Sequence, residues 1–334
     1  MGLFTQLARE DVATIAARFG IGEVRSWTAI PAGTINSNFV LETARGKWFL
    51  RINEGKSEED VRYEVELVTA LVAGGTAAPL PCRTTSGEPF MVHAGGHVSL
   101  FPWVAGAHRQ SGEVAPGDAR ELGQALARLH LAGQKIAARF TRTSRYAFAA
   151  IVERFRHVQA LPVATSDPVL VACLPVIGEE IAWLQAQEPV RSAATTGIIH
   201  GDLFPDNVFF SGDALTALID FEQASTGSLP YDLAVCLNSW CFGRDDFDRR
   251  LLAAMLAGYD RVRPLPPEDR QALAVEVRGA AMRFAVTRIT DVYLPKITNP
   301  TKDFRRFLAR LARWRELGTQ GLADCLHDQA LSRE

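Results

Sequence analysis

No stretch of this chain reaches 18 uninterrupted apolar residues, so no membrane-spanning helix is expected. The opening residues, MGLFTQLARED, lack a basic segment leading into an apolar run and a small-residue cleavage site. A secretory leader is therefore not expected. Met1-Gly2 starts a myristoylation-like pattern, but Gln6 stands where that pattern needs Ser or Thr. Cysteine is scarce and scattered: Cys82, Cys173, Cys236, Cys241 and Cys325, with no CxxC pair. An odd, dispersed set argues against a disulfide framework or a zinc site, and for reduced thiols in the cytoplasm. An excess of one charge is also missing, since 36 basic residues face 38 acidic ones and the net charge is −2. Such a balance gives no general affinity for nucleic acid or an anionic membrane, so an anionic ligand must be held by a local site. There is no internal repeat and no low-complexity tract.

What is present is an ordinary globular composition, 47% apolar and 22% charged over 334 residues, long enough for two lobes with cores of their own. Residues 1–101 read mostly as strands with one main helix, and residues 102–334 mostly as helices. Segments 23–30, 38–43 and 47–53 are rich in Val, Ile, Phe, Trp and Thr and are broken by turn signals, which predicts three successive strands. Ser57 with Asp60 forms a capping-box start for a helix running to Ala73. A hairpin is expected over 90–101, followed by a crossover at Phe101-Pro102-Trp103-Val104-Ala105-Gly106. Later helices are expected at 117–134, 169–187, 231–242, 246–259, 267–294 and 302–317, interrupted only by a strand-like stretch at 197–221. The fold class is thus α+β, an N-terminal antiparallel sheet joined to a helical part that carries one catalytic β-hairpin.

The chemistry concentrates in that stretch. Gly197-Ile198-Ile199 delivers His200-Gly201-Asp202, and Asn207 follows five residues after Asp202. A turn at Ser211-Gly212-Asp213 then returns the chain through Ile219-Asp220-Phe221-Glu222. A hairpin of this length brings Asp220 back beside Asn207. Two oxygen donors at a loop–strand edge suit Mg²⁺, which takes few protein ligands and completes its shell with phosphate oxygens and water. Asp202 is placed to accept a proton from an attacking hydroxyl, and metal plus carboxylate are the parts phosphoryl transfer needs. Any one of these acids alone reads as a polar hairpin turn. Together, His-Gly-Asp-x4-Asn and Ile-Asp-Phe match a kinase catalytic loop and metal motif, with Gly201 pointing to the small-molecule branch. His200 reads as a buried imidazole that fixes the loop. No DFG, APE or activation-loop segment follows Asp220, which speaks against a protein substrate.

On the nucleotide side, Ile30-Pro31-Ala32-Gly33-Thr34-Ile35-Asn36-Ser37-Asn38 joins two predicted strands with small residues able to present backbone N–H groups to phosphates. Gly33, Ser37 and Asn38 are its candidate nucleotide contacts. Arg51 interrupts the apolar strand Trp48–Asn53 where kinases carry a phosphate-pairing lysine. A solvated edge-strand arginine is the alternative. Glu64 is the expected ionic partner of Arg51, ahead of Glu66.

These residues resemble the aminoglycoside phosphotransferase/choline kinase group of protein-kinase-like enzymes, and within it the type II homoserine kinases. Three segments carry the likeness: Ala32-Gly33-Thr34-Ile35-Asn36-Ser37-Asn38-Phe39, Tyr231-Asp232-Leu233-Ala234-Val235-Cys236-Leu237-Asn238-Ser239-Trp240-Cys241-Phe242, and Arg283-Phe284-Ala285-Val286-Thr287-Arg288-Ile289-Thr290-Asp291. The resemblance implies a bilobal protein-kinase-like fold, ATP and Mg²⁺ as cofactors, nucleotide contacts at Leu100 and Phe101, and phosphorylation of the hydroxyl of L-homoserine. Glu222 departs from that family's pattern, and Ile-Asp-Phe-Glu also suits choline, ethanolamine, aminoglycoside or sugar kinases. A catalytically silent pseudokinase is the remote alternative, opposed by the intact trio Asp202, Asn207 and Asp220.

A zwitterionic acceptor needs a cation for its carboxylate and an acid for its ammonium. Arg288 and Asp291 lie three apart and are expected on one helix face, presenting both charges together. Arg283, about 140° from Arg288, is not expected to share that pocket. Glu222 joins Arg288 and Asp291 as a candidate substrate residue. Asp232 is expected to cap its helix or brace the catalytic loop, and at most one of Asn238 and Trp240 to touch substrate. The expected partner is a small molecule, with no nucleic acid and no membrane, and nothing in the sequence sets an oligomeric state.

Overall fold

The computed structural model describes residues 5–31, 36–110, 112–243 and 246–331. The chain forms two compact units. The first comprises residues 1–107 together with 209–212 and 216–222, and the second holds the remainder.

The first unit opens with α1 (Arg9–Phe19), which the sequence reading did not anticipate. Its Val12, Ile15, Ala16 and Phe19 recur at helical spacing and are all buried. Strands β1 (Val24–Ile30), β2 (Ser37–Thr43) and β3 (Gly46–Asn53) follow, then α2 (Glu58–Ala73), β4 (Met91–His93) and β5 (Gly96–Pro102). They form one antiparallel sheet in the order β1-β2-β3-β5-β4. Phe39, Leu41, Leu50, Ile52, Val98 and Leu100 point to one face and pack with α1 into a single core. The alternation of side chains sends Arg51 to the opposite face. Ser57 caps α2, accepting from the Asp60 N–H at 3.1 Å. Residues 209–212 and 216–222 join this unit through backbone bonds: Ala107 and Phe210 exchange N–H···O contacts of 2.9 Å, and the Leu218 N–H donates to Ala77 at 2.7 Å.

The second unit is helical. Its elements are α3 (Pro116–Ile136), α4 (Phe148–Ala160), the short α5 (Val163–Ser166), α6 (Pro168–Ala186), the short α7 (Glu188–Ser192), β6 (Thr196–Ile199), then, after the hairpin β7 (Val208–Ser211) and β8 (Ala214–Leu218), most of which belongs to the first unit, β9 (Ser225–Ser228), α8 (Leu229–Trp240), the two-residue β10 (Phe242–Gly243) and β11 (Asp246–Phe247), α9 (Arg249–Val262), α10 (Pro267–Arg288) and α11 (Arg305–Leu331). The expected single helix over 267–294 ends at Arg288 and continues as a π turn over Ile289–Tyr293. The helix expected to stop at 317 does break there, because Gly318 takes φ 66° and ψ 178°, and a second helical stretch follows.

Helices α3 and α9 touch backbone to backbone. A Cβ on Gly123 would lie 2.2 Å from the Met255 carbonyl oxygen, and one on Gly258 would lie 2.1 Å from that of Arg120. Only glycine permits such an approach. Among the described residues α6 is long and apolar enough to cross a membrane, with a mean hydropathy of 1.5. Here its Leu170, Leu174, Ile177, Ile181 and Leu184 belong to a core built with α4 and α10. Its fully buried Glu180 takes paired hydrogen bonds from Arg278, at 2.7 and 2.8 Å. A buried carboxylate held by a bidentate arginine marks a helix of the protein interior.

Candidate active site

In the first unit, the sheet face opposite α1 carries Asn38, Arg51, Ser99 and Phe101 in register. Arg51 Nη1 donates to Glu64 Oε1 at 3.1 Å and lies 3.6 Å from Asp220 Oδ1. Burial acts to lower the Arg51 pKa, but the charges of Asp220, Glu64 and Glu222 outweigh it and the value rises. The guanidinium is thus a fixed cation at every accessible pH. Asp220 adopts φ 67°, a left-handed backbone that L residues avoid and Asp tolerates better than most. Strain of this kind concentrates at functional positions. A second cation, which the sequence reading missed, completes the cluster. Lys56 Nζ meets Glu222 Oε2 at 2.7 Å and Glu64 Oε2 at 3.5 Å.

In the second unit, β6 delivers the catalytic loop and α8 anchors it. Asp232, fully buried in the first turn of α8, accepts the His200 N–H on Oδ2 and the Gly201 N–H on Oδ1, both at 2.7 Å. His130 Nε2 donates to the same Oδ2 at 3.1 Å, while its Nδ1 accepts from the Tyr259 hydroxyl at 2.7 Å. Burial works to raise the Asp232 pKa, yet the hydrogen bonds from His130 and from the Gly201 N–H outweigh it and hold the value below the ordinary one. Burial also keeps His130 neutral. A charged carboxylate therefore braces the loop backbone from inside. Gly201 takes φ 77°, where glycine is the default residue.

The loop itself presents Asp202, about a quarter exposed. Its Oδ2 accepts from Gln223 Nε2 at 2.8 Å. Gln223 Oε1 in turn accepts from Arg283 Nη2 at 2.9 Å, and Arg283 Nη1 lies 3.9 Å from Asp202 Oδ1. Asn207 Nδ2 donates to the Asp202 carbonyl at 2.8 Å. That bond uses the donor side of the amide and leaves the acceptor Oδ1 to meet a cation. One oxygen of the Asp202 carboxylate thus meets a neutral donor and the other lies near an arginine.

Known proteins match along nearly the whole chain. Residues 26–265 fit the family described as the phosphotransferase enzyme family. The chain belongs to the phosphotransferase enzyme family. A homoserine kinase of Methylobacterium radiotolerans is 37% identical over 318 residues, covering 93% of this chain and 95% of its own. A homoserine kinase of Beijerinckia indica is 37% identical over 327 residues, covering 96% of this chain and 98% of its own. Among solved structures, a spectinomycin phosphotransferase in complex with ADP and spectinomycin superposes with a TM-score of 0.67, at 13% identity, over 96% of this chain and 99% of that one. That likeness shows the fold, a protein-kinase-like α+β architecture.

The remaining expected residues of this phosphotransferase fall in varied places. Gly33 lies outside the described residues. Ser37 sits opposite Ile52, on the core side of the sheet, and its fully buried hydroxyl donates to Glu54 at 2.7 Å. Leu100 also faces the core, and its carbonyl accepts from the Cys82 N–H at 2.8 Å. Phe101 shares the Arg51 face, its ring 6.1 Å from that of Phe49, over which Arg51 lies. Glu64 is indeed the partner of Arg51, while Glu66 pairs with Arg83.

Arg288 and Asp291 do not present their charges together. Because α10 gives way to a π turn after Arg288, Asp291 turns outward and pairs with Arg154 at 2.9 Å. Arg288 instead lies over the Phe307 ring at 4.2 Å and donates to the Thr301 and Asp303 carbonyls. Burial, followed by the neighbouring charges of Arg310 and Arg306, drops its pKa to about 9. Arg283, not Arg288, is the arginine of this helix that reaches the catalytic loop. Asn238 and Trp240 are both buried. Asn238 bonds Val277 and Trp314, and the Trp240 indole N–H bonds the Leu203 carbonyl. Gln223 and Arg283 are the residues sequence reasoning undervalued. Gln223 directly follows the Ile-Asp-Phe-Glu motif, which was the available signal.

Proposed function

We propose that this phosphotransferase moves the γ-phosphoryl group of ATP to the hydroxyl of L-homoserine, giving O-phospho-L-homoserine and ADP. The observation that carries the reaction type is Asp202, oriented by Gln223 on a loop braced by buried Asp232. Homoserine as acceptor is supported by 34–37% identity to homoserine kinases over most of the chain. Asp202 takes the hydroxyl proton as the oxygen attacks the γ-phosphorus, and the bond from that phosphorus to the ADP oxygen breaks. Arg51, held by Glu64, pairs with phosphate oxygens. Asn38 and Phe101 on its sheet face, with Gly33, contribute to nucleotide binding. We assign Asn207 and Asp220 as Mg²⁺ ligands. The donor set fits that ion, one anionic and one amide oxygen, with no group of three or more His, Cys, Asp or Glu forming a metal cage among the described residues. The ion supplies neutralisation of phosphate charge.

The first unit thus serves the nucleotide and the second the acceptor. Glu222, whose presence kept choline- and aminoglycoside-type acceptors open, is assigned to holding Lys56. The four described cysteines are free, in keeping with a cytoplasmic enzyme. The test is ADP release by purified protein with Mg·ATP against L-homoserine, choline, ethanolamine, an aminoglycoside and simple sugars. L-homoserine is expected to give the highest kcat/KM. An equal or higher value for another acceptor overturns the assignment, and no release with any of them favours the pseudokinase.

A further inference from the structure

The second unit contains a cavity of about 550 Å³ that takes in none of Asp202, Asn207, Arg288 and Asp291. One face of α10 floors it with Glu276, Gly279, Met282 and Arg283, spaced as i, i+3, i+6 and i+7. The segment 141–148, strand β9 and Tyr231 wall it. Gly279 gives it depth, since a Cβ there would lie 2.8 Å from Glu276 Oε2.

Three buried polar atoms around this space have no hydrogen-bond partner: Glu276 Oε2, Arg283 Nε and the Tyr231 hydroxyl. Nearly all buried polar atoms in folded proteins are bonded, so three around one cavity call for a ligand. Their chemistry is bipolar. Glu276, 2% exposed, spends Oε1 on Arg191 Nε at 3.1 Å and keeps Oε2 unused. Burial pushes its pKa up against the opposing charge of Arg191, so a second cation at Oε2 would relieve the carboxylate. Arg283, 4% exposed, is clamped between the Tyr146 ring at 4.0 Å and the Phe284 ring at 3.8 Å. A guanidinium held flat in this way loses little freedom on meeting a carboxylate.

We propose that this cavity holds the amino-acid end of the acceptor, with the α-ammonium on Glu276 Oε2 and the α-carboxylate on Arg283 and the Tyr231 hydroxyl. The inference rests on the amino-acid kinase reading above and names the groups that make it selective. Arg283 links the two functions, because the guanidinium that lines the cavity also lies 3.9 Å from Asp202 Oδ1. A quaternary amine would call for an aromatic cage without arginine at its face. A polycationic sugar would call for several acids, whereas this lining offers Glu276 against Arg142, Arg191 and Arg283.

The test compares L-homoserine with 4-hydroxybutyrate, which lacks only the ammonium, in the full-length wild type, Glu276→Gln and Tyr231→Phe. Turnover with Mg·ATP and calorimetric binding without nucleotide are both read. Glu276→Gln is expected to shrink the preference for L-homoserine over 4-hydroxybutyrate by about 10- to 100-fold, the scale of a hydrogen bond to a charged group, with the KM for ATP unmoved. Tyr231→Phe removes a buried hydroxyl that has no partner, so the melting temperature should not fall while the KM for L-homoserine rises several-fold. If Glu276→Gln weakens both ligands equally, or Tyr231→Phe leaves the homoserine KM at the wild-type value, the cavity is not the acceptor site. Should the wild type release no ADP with L-homoserine, the kinase reading fails and calorimetry still decides the cavity. Binding of L-homoserine that depends on Glu276 supports it, and its absence overturns it.

Discussion

Gln223 holds Asp202 from one side only: its Nε2 donates to Oδ2 at 2.8 Å, while its Oε1 is itself fixed by Arg283 at 2.9 Å. A flip of the amide would set its acceptor against the carboxylate and its donor against the arginine, so the order arginine, amide, carboxylate fixes the orientation of Gln223 toward Asp202. Gln223→Leu keeps the bulk and removes the donor. We expect kcat to fall about 10-fold or more, a fraction of the roughly 10²–10⁴ a positioned general base contributes. KM for ATP should stay put. Asp202→Asn should show the full loss with Mg·ADP affinity little changed. If Asp202→Asn instead weakens Mg·ADP strongly at unchanged kcat, Asp202 belongs to the metal.

Asp220 is assigned the anionic metal ligand and Asn207 the neutral one. Asp220→Ala should abolish Mg·ATP-dependent turnover, and Asn207→Ala should do less, since an amide oxygen brings less charge to the ion. The check is the Mg²⁺ concentration giving half-maximal rate in each variant. Wild-type turnover by the Asp220 variant at low Mg²⁺ would show that the ligand lies elsewhere.

Arg51 is 11% exposed and neutralises Glu64 and Asp220. Arg51→Met takes the nearest cation from Asp220 and leaves Glu64 with Lys56 alone, so the loss should fall below the roughly 3–5 kcal/mol of a fully broken buried pair. Arg51→Lys keeps the charge and should lose less, with a smaller rise in the KM for ATP. Chemical denaturation and ATP titration of the two variants measure this. Equal stability and equal KM would make Arg51 a bystander.

The loop brace predicts a pH dependence. His130 is held neutral, its folded pKa lying below the unfolded value of 6.5. Between those two values the unfolded chain binds the proton that the folded chain refuses. The His130 contribution is therefore complete above about pH 6.5 and is lost as pH falls toward the folded pKa. Asp232, also depressed, adds a loss of the same sign below its unfolded value of 3.8. The melting temperature of the wild type should fall from pH 7 to pH 5, and His130→Gln, less stable at pH 7, should fall less over that interval. Parallel curves for the two proteins would remove His130 as the cause.

The sequence by itself determined the elements whose signals are local. Alternating apolar residues placed β2 and β3 within one residue of their observed starts and at their observed ends. Ser57 and Asp60 set the start of α2. The spacing of Asp202, Asn207 and Asp220 pointed to phosphoryl transfer, the reaction class of the family to which the chain belongs. The sequence also carries α1 in the period of Val12, Ile15, Ala16 and Phe19, with Gly20 as its C-terminal stop at φ 66°.

Tertiary structure decided which charges meet. Arg283 and Arg288 share one helix and one residue type, and helical spacing puts them on different faces without saying which face meets the loop. Their surroundings differ because Arg283 faces Gln223 while Arg288 faces Phe307 of α11. The same holds for Asp232 and Asp291. One is sealed under the catalytic loop by β6 and α3, and the other is turned outward by a π turn that periodicity cannot foresee. Helical spacing says which side chains share a face, but a contact across 60 or 100 residues depends on how whole elements pack, and that is settled by burial summed over the core rather than by any local residue pattern.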